Sequence, residues 1–294
     1  MWRRAIFLLP AAAIIVPVWA QTPAPPPDFS GIWRHPSLPG FEPPASGPGP
    51  VTNKTRRPDG ASDWNMLVGD ERNPILKPHA AESVKKYGEV SLSGVSPPTP
   101  AYMCWPQPVP YIFWSFNMQM VQQPDQITIL YSNPDHEIRR VRMNQSHPAV
   151  VTPSLYGDSV GRWERDTLVI DTVGIKTDRP YAMVDAYGTP YSRSLHVIER
   201  YRLLDYEQAK EGLERDKKEN FLLPQQDIDR NYKGKHLQLE FTVEDEGTFT
   251  TPWSATITYG RGSDQWPEQV CAENPREQYS SKDYDVPTAA KPGF

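Results

Sequence analysis

The chain has 294 residues, 31 of them basic and 36 acidic, for a net charge of −5 at neutral pH. Phosphate neutralisation by Lys and Arg dominates nucleic-acid affinity, so this balance argues against a polyanion-binding protein. The two cysteines, Cys104 and Cys271, form no C-x-x-C pair, which excludes a dithiol redox motif.

The first twenty residues, MWRRAIFLLPAAAIIVPVWA, place Arg3 and Arg4 before an apolar run and small residues Val18 and Ala20 before a cut. The run is interrupted by Pro10 and Pro17 and is short for a bilayer span, so it predicts a cleavable signal peptide. Cleavage after Ala20 leaves 29 basic against 36 acidic residues, a charge of −7. No later segment is apolar enough to cross a membrane, and the mature protein is expected in the periplasm or outside the cell. There, Cys104 and Cys271 are expected to form a disulfide; closing a loop of about 170 residues is worth roughly 4–5 kcal/mol.

Residues 21–110 hold 19 of the 33 prolines, which lack an amide donor and fix φ, so this stretch is expected to be an irregular arm over the main body. Within it, FSGIW (29–33) reads as a short strand and HAAESVKKYGEV (79–90) as a helix. From residue 111 the pattern changes. QITILY (126–131) alternates, and HEIRRVRM (136–143) follows it after the turn residues SNPD. Three arginines on that strand read as a solvated face or as salt-bridge partners. SVGRWERDTLVIDTVG (159–174) predicts a hairpin turning at Glu164, Arg165 and Asp166. SLHVIERYRLL (194–204), HLQLEFTVED (236–245) and PWSATITYG (252–260) complete the strands, and residues 205–221 have a helical composition.

Closely spaced strands without intervening helices predict an all-β, antiparallel domain over 111–275. A lipocalin-like barrel or a strongly curved sheet would dispose of its edges, with one or two short helices and an irregular tail over 276–294. No repeat, no glycine-rich phosphate loop and no G-x-S-x-G elbow is present.

The candidate chemistry lies on the strands. Glu199 shares the core-facing row with Val197 and Tyr201, while His196, three residues earlier, points to the other face. A carboxylate in that row must be paired or put to use. Arg139, Arg140 and Arg142 are the partners for an ion pair; a general acid/base role is the alternative. Asp171 stands in the apolar strand TLVIDTVG, as a raised-pKa acid or at a barrel rim. His136 and His147 lie at loop ends. With His196 they could supply imidazole to zinc or iron, but no spacing demands it, so no metal and no cofactor is assigned. Tyr102, Trp105, Tyr111, Phe113, Trp114 and Phe116 crowd residues 101–116, to fill a core or to line an apolar ligand cavity.

The runs GDSVGRWERDTLVIDTVG, SLHVIERYRLLDYEQAKE, GKHLQLEFTVEDEGTFTTPWSATITY and WPEQVCAENP, in this order, resemble a family of secreted bacterial proteins of unassigned function. The resemblance covers residues 100–294, with a weaker match at DFSGIW, and implies secretion and a β-rich fold but no substrate. Arg165 stands where glycine is usual in that family, and Tyr191 where histidine is common, which weakens any histidine-based metal site there. The G-x-W of DFSGIW also resembles the first strand of lipocalins, an architectural analogy that does not fix function.

Three functions are consistent with these residues. The first is a binding module for an apolar or aromatic small molecule, with Trp114 and Tyr201 lining the cavity and Arg140, Glu199 and His196 as polar groups. The second is a lyase, isomerase or hydrolase with Glu199 or Asp171 as acid/base, His136 or His196 as partner, and an arginine for developing negative charge. The third is an envelope interaction protein using the proline-rich arm.

Overall fold

The structure is a computed structural model describing residues 25–262, except 37, 39, 64, 115–116, 133–136, 220–228 and 230, together with Trp266. The expected signal peptide, His136, the expected SNPD turn after Ser132, Cys271 and the expected tail over 276–294 lie outside the described residues.

Nine strands close into a barrel in sequence order: β1 (Gly31–Arg34), β2 (Asn117–Gln122), β3 (Gln126–Tyr131), β4 (Ile138–Met143), β5 (Asp158–Glu164), β6 (Thr167–Val173), β7 (His196–Leu204), β8 (His236–Glu244) and β9 (Trp253–Arg261). The expected all-β barrel is therefore present. It departs from the sequence reading at one seam, where β4 and β5 run parallel; every other neighbouring pair is antiparallel. The FSGIW strand, inside the proline-rich stretch, is β1 itself. Trp33 pairs with both Met118 and Arg261, so this strand joins β2 to β9 and closes the barrel.

Strand alternation fills the interior. Met118 and Met120, Ile127 to Tyr131, Arg139 to Met143, Leu168 to Thr172, Val197 to Tyr201, Leu237 to Val243 and Trp253 to Tyr259 supply every second residue to the inside. These inward side chains expose between 0% and 3% of their surface, so along these strands they pack against one another inside the barrel. Among the described residues, two α-helices lie outside the barrel. Helix α1 (Pro78–Leu92) has proline in its first turn, where the missing N–H costs nothing. Helix α2 (Tyr206–Glu219) rests on β9 through Gly212; a Cβ there would lie 2.5 Å from Thr258 Oγ1, so only glycine allows this approach.

The β5–β6 hairpin carries a local strain. Glu164 pairs with Thr167, so Arg165 and Asp166 form a two-residue loop, and Arg165 takes φ +60°. This hairpin geometry favours glycine or asparagine, and a Cβ in the left-handed region costs about 1 kcal/mol. Arg165→Gly is expected to stabilise the protein by roughly 0.5–1 kcal/mol, raising Tm by about 2 °C. A calorimetric scan in which Tm falls would show that the Arg165 side chain contributes more than its backbone costs.

Candidate functional site

Two polar constellations occupy opposite faces of the same strands. Inside, Arg139 and Glu199 form a two-pronged ion pair, Nη2 to Oε1 at 2.7 Å and Nη1 to Oε2 at 3.0 Å. Tyr201 donates its hydroxyl to Glu199 Oε2 at 2.9 Å, and the guanidinium also donates to Tyr131, Ser159 and Thr172. Burial opposes the charge on Arg139, but the Glu199 carboxylate more than offsets it and holds the guanidinium protonated. Burial likewise drives the Tyr131 hydroxyl up to about 12 and the Tyr201 hydroxyl well above its usual range. Glu199 is fully enclosed and Arg139 almost so, which leaves no path for a substrate.

The partner of Glu199 is thus Arg139. Arg140, proposed from sequence as a ligand-binding group, is one residue out of phase with the pair. The pleat turns it outward, where its Nε and Nη2 donate to Gln126 Oε1 at 3.1 and 2.7 Å. Tyr201 is closed inside with Glu199. Trp114 ends the short helical turn Tyr111–Trp114, half-buried and 6.0 Å from the Tyr111 ring. The structure does not bring Arg140, Trp114 and Tyr201 together around a cavity.

Outside, a second set crosses five strands at one end of the barrel. His196 at the start of β7 lies directly opposite Glu244 at the end of β8, and Asp171 of β6 is diagonal to His196. Asp158 begins β5 and Arg142 lies near the end of β4. His147, from the loop after β4, reaches over them. The contacts form a chain in which carboxylates and imidazoles alternate. Arg142 donates to both oxygens of Asp158 at 2.7 and 2.9 Å. His147 places Nδ1 2.6 Å from Asp158 Oδ1 and Nε2 3.1 Å from Asp171 Oδ1. His196 places Nε2 2.9 Å from that same Asp171 oxygen and Nδ1 3.0 Å from Glu244 Oε2.

A neutral imidazole has one N–H, so each ring can donate to both of its carboxylates only when doubly protonated. Three carboxylates and one guanidinium leave the cluster at a charge of −2, and two imidazolium rings would bring it to zero. The hydrogen bond to Asp171, with Glu244 behind it, raises the His196 pKa against the opposing effect of burial. The reciprocal bond from His196, then that from His147, lowers the Asp171 carboxyl against its own burial.

The two shifts define a pH window for stability. His196 is held above its ordinary 6.5, so its contribution is full below that value and is lost as pH rises through the raised pKa. Asp171 is held below 3.8, so its contribution is present above that value and is lost as pH falls through the lowered pKa. The urea midpoint of the protein is expected to exceed that of His196→Gln by most near about pH 5–6, the difference closing toward about pH 9. A difference that stays constant over this range would count against a charged His196.

The sequence offers Asp171 with His196 as one of several acid–base pairings, His147 only as a loop-end residue, and nothing that marks Asp158 or Glu244. The outward rows are visible as alternation, but which outward residues adjoin depends on register. Among the described residues, no group of three or more His, Cys, Asp or Glu is arranged to hold a metal ion, and no helix is long and apolar enough to cross a membrane. In comparisons with family models, curated proteins and solved structures, none matches this chain.

Proposed function

We propose that the protein is a barrel enzyme of the periplasm or extracellular space, using the outer cluster for general acid–base chemistry on a small molecule, as a lyase, isomerase or hydrolase. One observation carries this reading: the Asp171 carboxylate holds the Nε2 of His196 at 2.9 Å, the base-and-orienter pairing that acid–base catalysis requires. His196 Nδ1 is then the atom that moves the proton. Its partner Glu244 is 44% exposed against 28% for His196, so Glu244 is the side chain that yields to an incoming substrate.

The experiment uses a pooled extract of small metabolites in D2O, followed by mass spectrometry for deuterium incorporation, addition of water or loss of a fragment. The protein is expected to transform at least one component, and His196→Ala and Asp171→Asn to lower that rate by about 10²–10⁴-fold. Turnover undiminished in both variants, or no change in any component with the parent protein, would sink the reading.

A second reading, binding of an apolar or aromatic ligand, is favoured by one feature outside the barrel. Leu38, Phe41, Pro43 and Tyr187 line a cleft of about 180 Å³ together with Arg56 and Arg215. Saturable displacement of a fluorescent dye, abolished by filling the cleft with Gly40→Trp, would favour it over catalysis. We further propose that Cys104, which is not a free thiol, pairs with Cys271 as export would permit. Alkylation of both thiols without reductant would refute the bond.

A further inference from the structure

We propose that the cleft between the proline-rich arm and helix α2 binds a free α-amino acid with an apolar side chain, its carboxylate on Arg56 and its ammonium on Glu219. The proposal deepens the ligand-binding reading of that cleft and rests on it, not on the acid–base site. Three segments build the walls. The arm supplies Leu38, Phe41 and Arg56, the loop between β6 and β7 supplies Tyr187, and α2 supplies Arg215 and Glu219. Hydrogen bonds hold these walls in place. Glu42 exchanges backbone hydrogen bonds with Thr256 of β9 at 3.4 and 2.9 Å, and the Ser62 amide donates to Glu219 Oε2 at 2.9 Å. Asn53 folds the arm on itself, accepting from the Val68 amide and donating to Asp63 O, each at 2.9 Å. Gly40 lies against Tyr187, where a Cβ would come within 2.8 Å of the hydroxyl. A ligand therefore meets a cleft that is already formed, which lowers the cost of binding.

The charges around the cleft are not equivalent. Arg215 is engaged twice, by Glu42 and by Asp216, so its guanidinium is neutralised. The Arg56 side chain bonds only to the Ser62 hydroxyl and meets no carboxylate among the described residues. Glu219 accepts the Ser62 amide through one oxygen and meets no cation among the described residues. Arg56 and Glu219 thus line one small cleft as opposite charges that do not pair with each other. Both act on the Tyr187 hydroxyl. Burial, and then Asp185, holds the pKa of that hydroxyl well above its ordinary 10; Arg56 opposes the rise and Glu219 adds to it.

A ligand that satisfies both charges needs a carboxylate and an ammonium a few bonds apart, with an apolar group for the side of Leu38 and Phe41. An α-amino acid carries all three on one carbon. Its side chain fits by size, since the cleft measures about 180 Å³ and an apolar cavity of about 150 Å³ admits benzene. A plain hydrocarbon would leave Arg56 and Glu219 unmatched, and a simple carboxylic acid would match only Arg56.

Isothermal titration calorimetry of the full protein with L-leucine and with L-phenylalanine, each beside its amide and its N-acetyl derivative, tests the assignment. At least one of the two amino acids is expected to give saturable one-site binding. Its amide, which lacks the carboxylate, and its N-acetyl form, which lacks the ammonium, are each expected to bind about tenfold or more weakly. Arg56→Gln is expected to weaken the free amino acid by a like factor and to leave the amide unchanged. Glu219→Gln is expected to weaken it too, with the N-acetyl form unchanged. A variant that misfolds loses every ligand alike, and the comparison of derivatives on the parent protein stands without it. No saturable heat from either amino acid up to about 10 mM, or derivatives that bind as well as the free amino acid, would overturn the assignment. If both amino acids fail while dye displacement saturates and Gly40→Trp removes it, the cleft takes an apolar ligand and only the amino acid falls. If the dye fails as well, the cleft reading falls with it.

Discussion

Glu199→Gln is expected to cost about 3–5 kcal/mol of folding stability, because it leaves the Arg139 guanidinium buried without a counter-charge. The pair is almost completely enclosed, and the remaining partners of Arg139 are the hydroxyls of Tyr131, Ser159 and Thr172, which carry no charge. The Arg139 Nε is already buried without a hydrogen-bond partner, so the site has no spare acceptor to take up the loss. Removing both charges should behave differently. Arg139→Met combined with Glu199→Leu is expected to recover most of the stability, since well-packed apolar residues often match a buried ion pair. Urea denaturation of the three proteins measures both effects. A loss below about 1 kcal/mol in the single variant would mean that water or a neighbouring group compensates the arginine. The same variant separates architecture from chemistry, for it should lower stability and leave acid–base turnover intact in the folded fraction.

Truncating Phe241 to Ala is expected to be comparably damaging, about 3–5 kcal/mol. Its ring lies 5.0 Å from Phe41, 5.0 Å from Phe113 and 6.0 Å from Trp253. These partners come from the proline-rich arm, the short helical turn before β2, and β9, so one side chain joins three parts of the chain. Edge-on aromatic pairs add about 0.5–1.5 kcal/mol each beyond area burial. The cavity would also loosen the arm, and limited proteolysis should cut around residue 41 in the variant before it cuts the barrel. A urea midpoint within error of the parent would show that the neighbouring rings collapse into the space.

Much of this architecture was legible as alternation. The row Val197, Glu199, Tyr201 faces inward, and the row Leu237, Leu239, Phe241, Val243 does the same, as the period of two requires. The helices fall where composition put them. Strand β2 escaped notice because NMQMVQ has no β-branched residue until Val121, and only Met118 and Met120 mark its inner face. The parallel seam escaped because a long irregular loop between two strands looks alike whichever direction the second strand takes. Arg139, Arg140 and Arg142 were visible as partners for Glu199, but the choice among them turns on a single residue of phase. The outer cluster was least legible. His147, Asp158, Asp171, His196 and Glu244 come from five separate segments, and only the register across β5 to β8 makes them neighbours.

The way the barrel closes also sets the order in which it can be made. β1 and β9 pair through Trp33 and Arg261, contacts between nearly the first and the last described residues. Such a distant pairing pays its loop-closure entropy late and folds slowly. Until β9 has been synthesised, β1 and β8 both present open hydrogen-bonding edges, and an edge left open invites a strand from another molecule. A chain interrupted before residue 253 would therefore be a seed for aggregation rather than a smaller barrel.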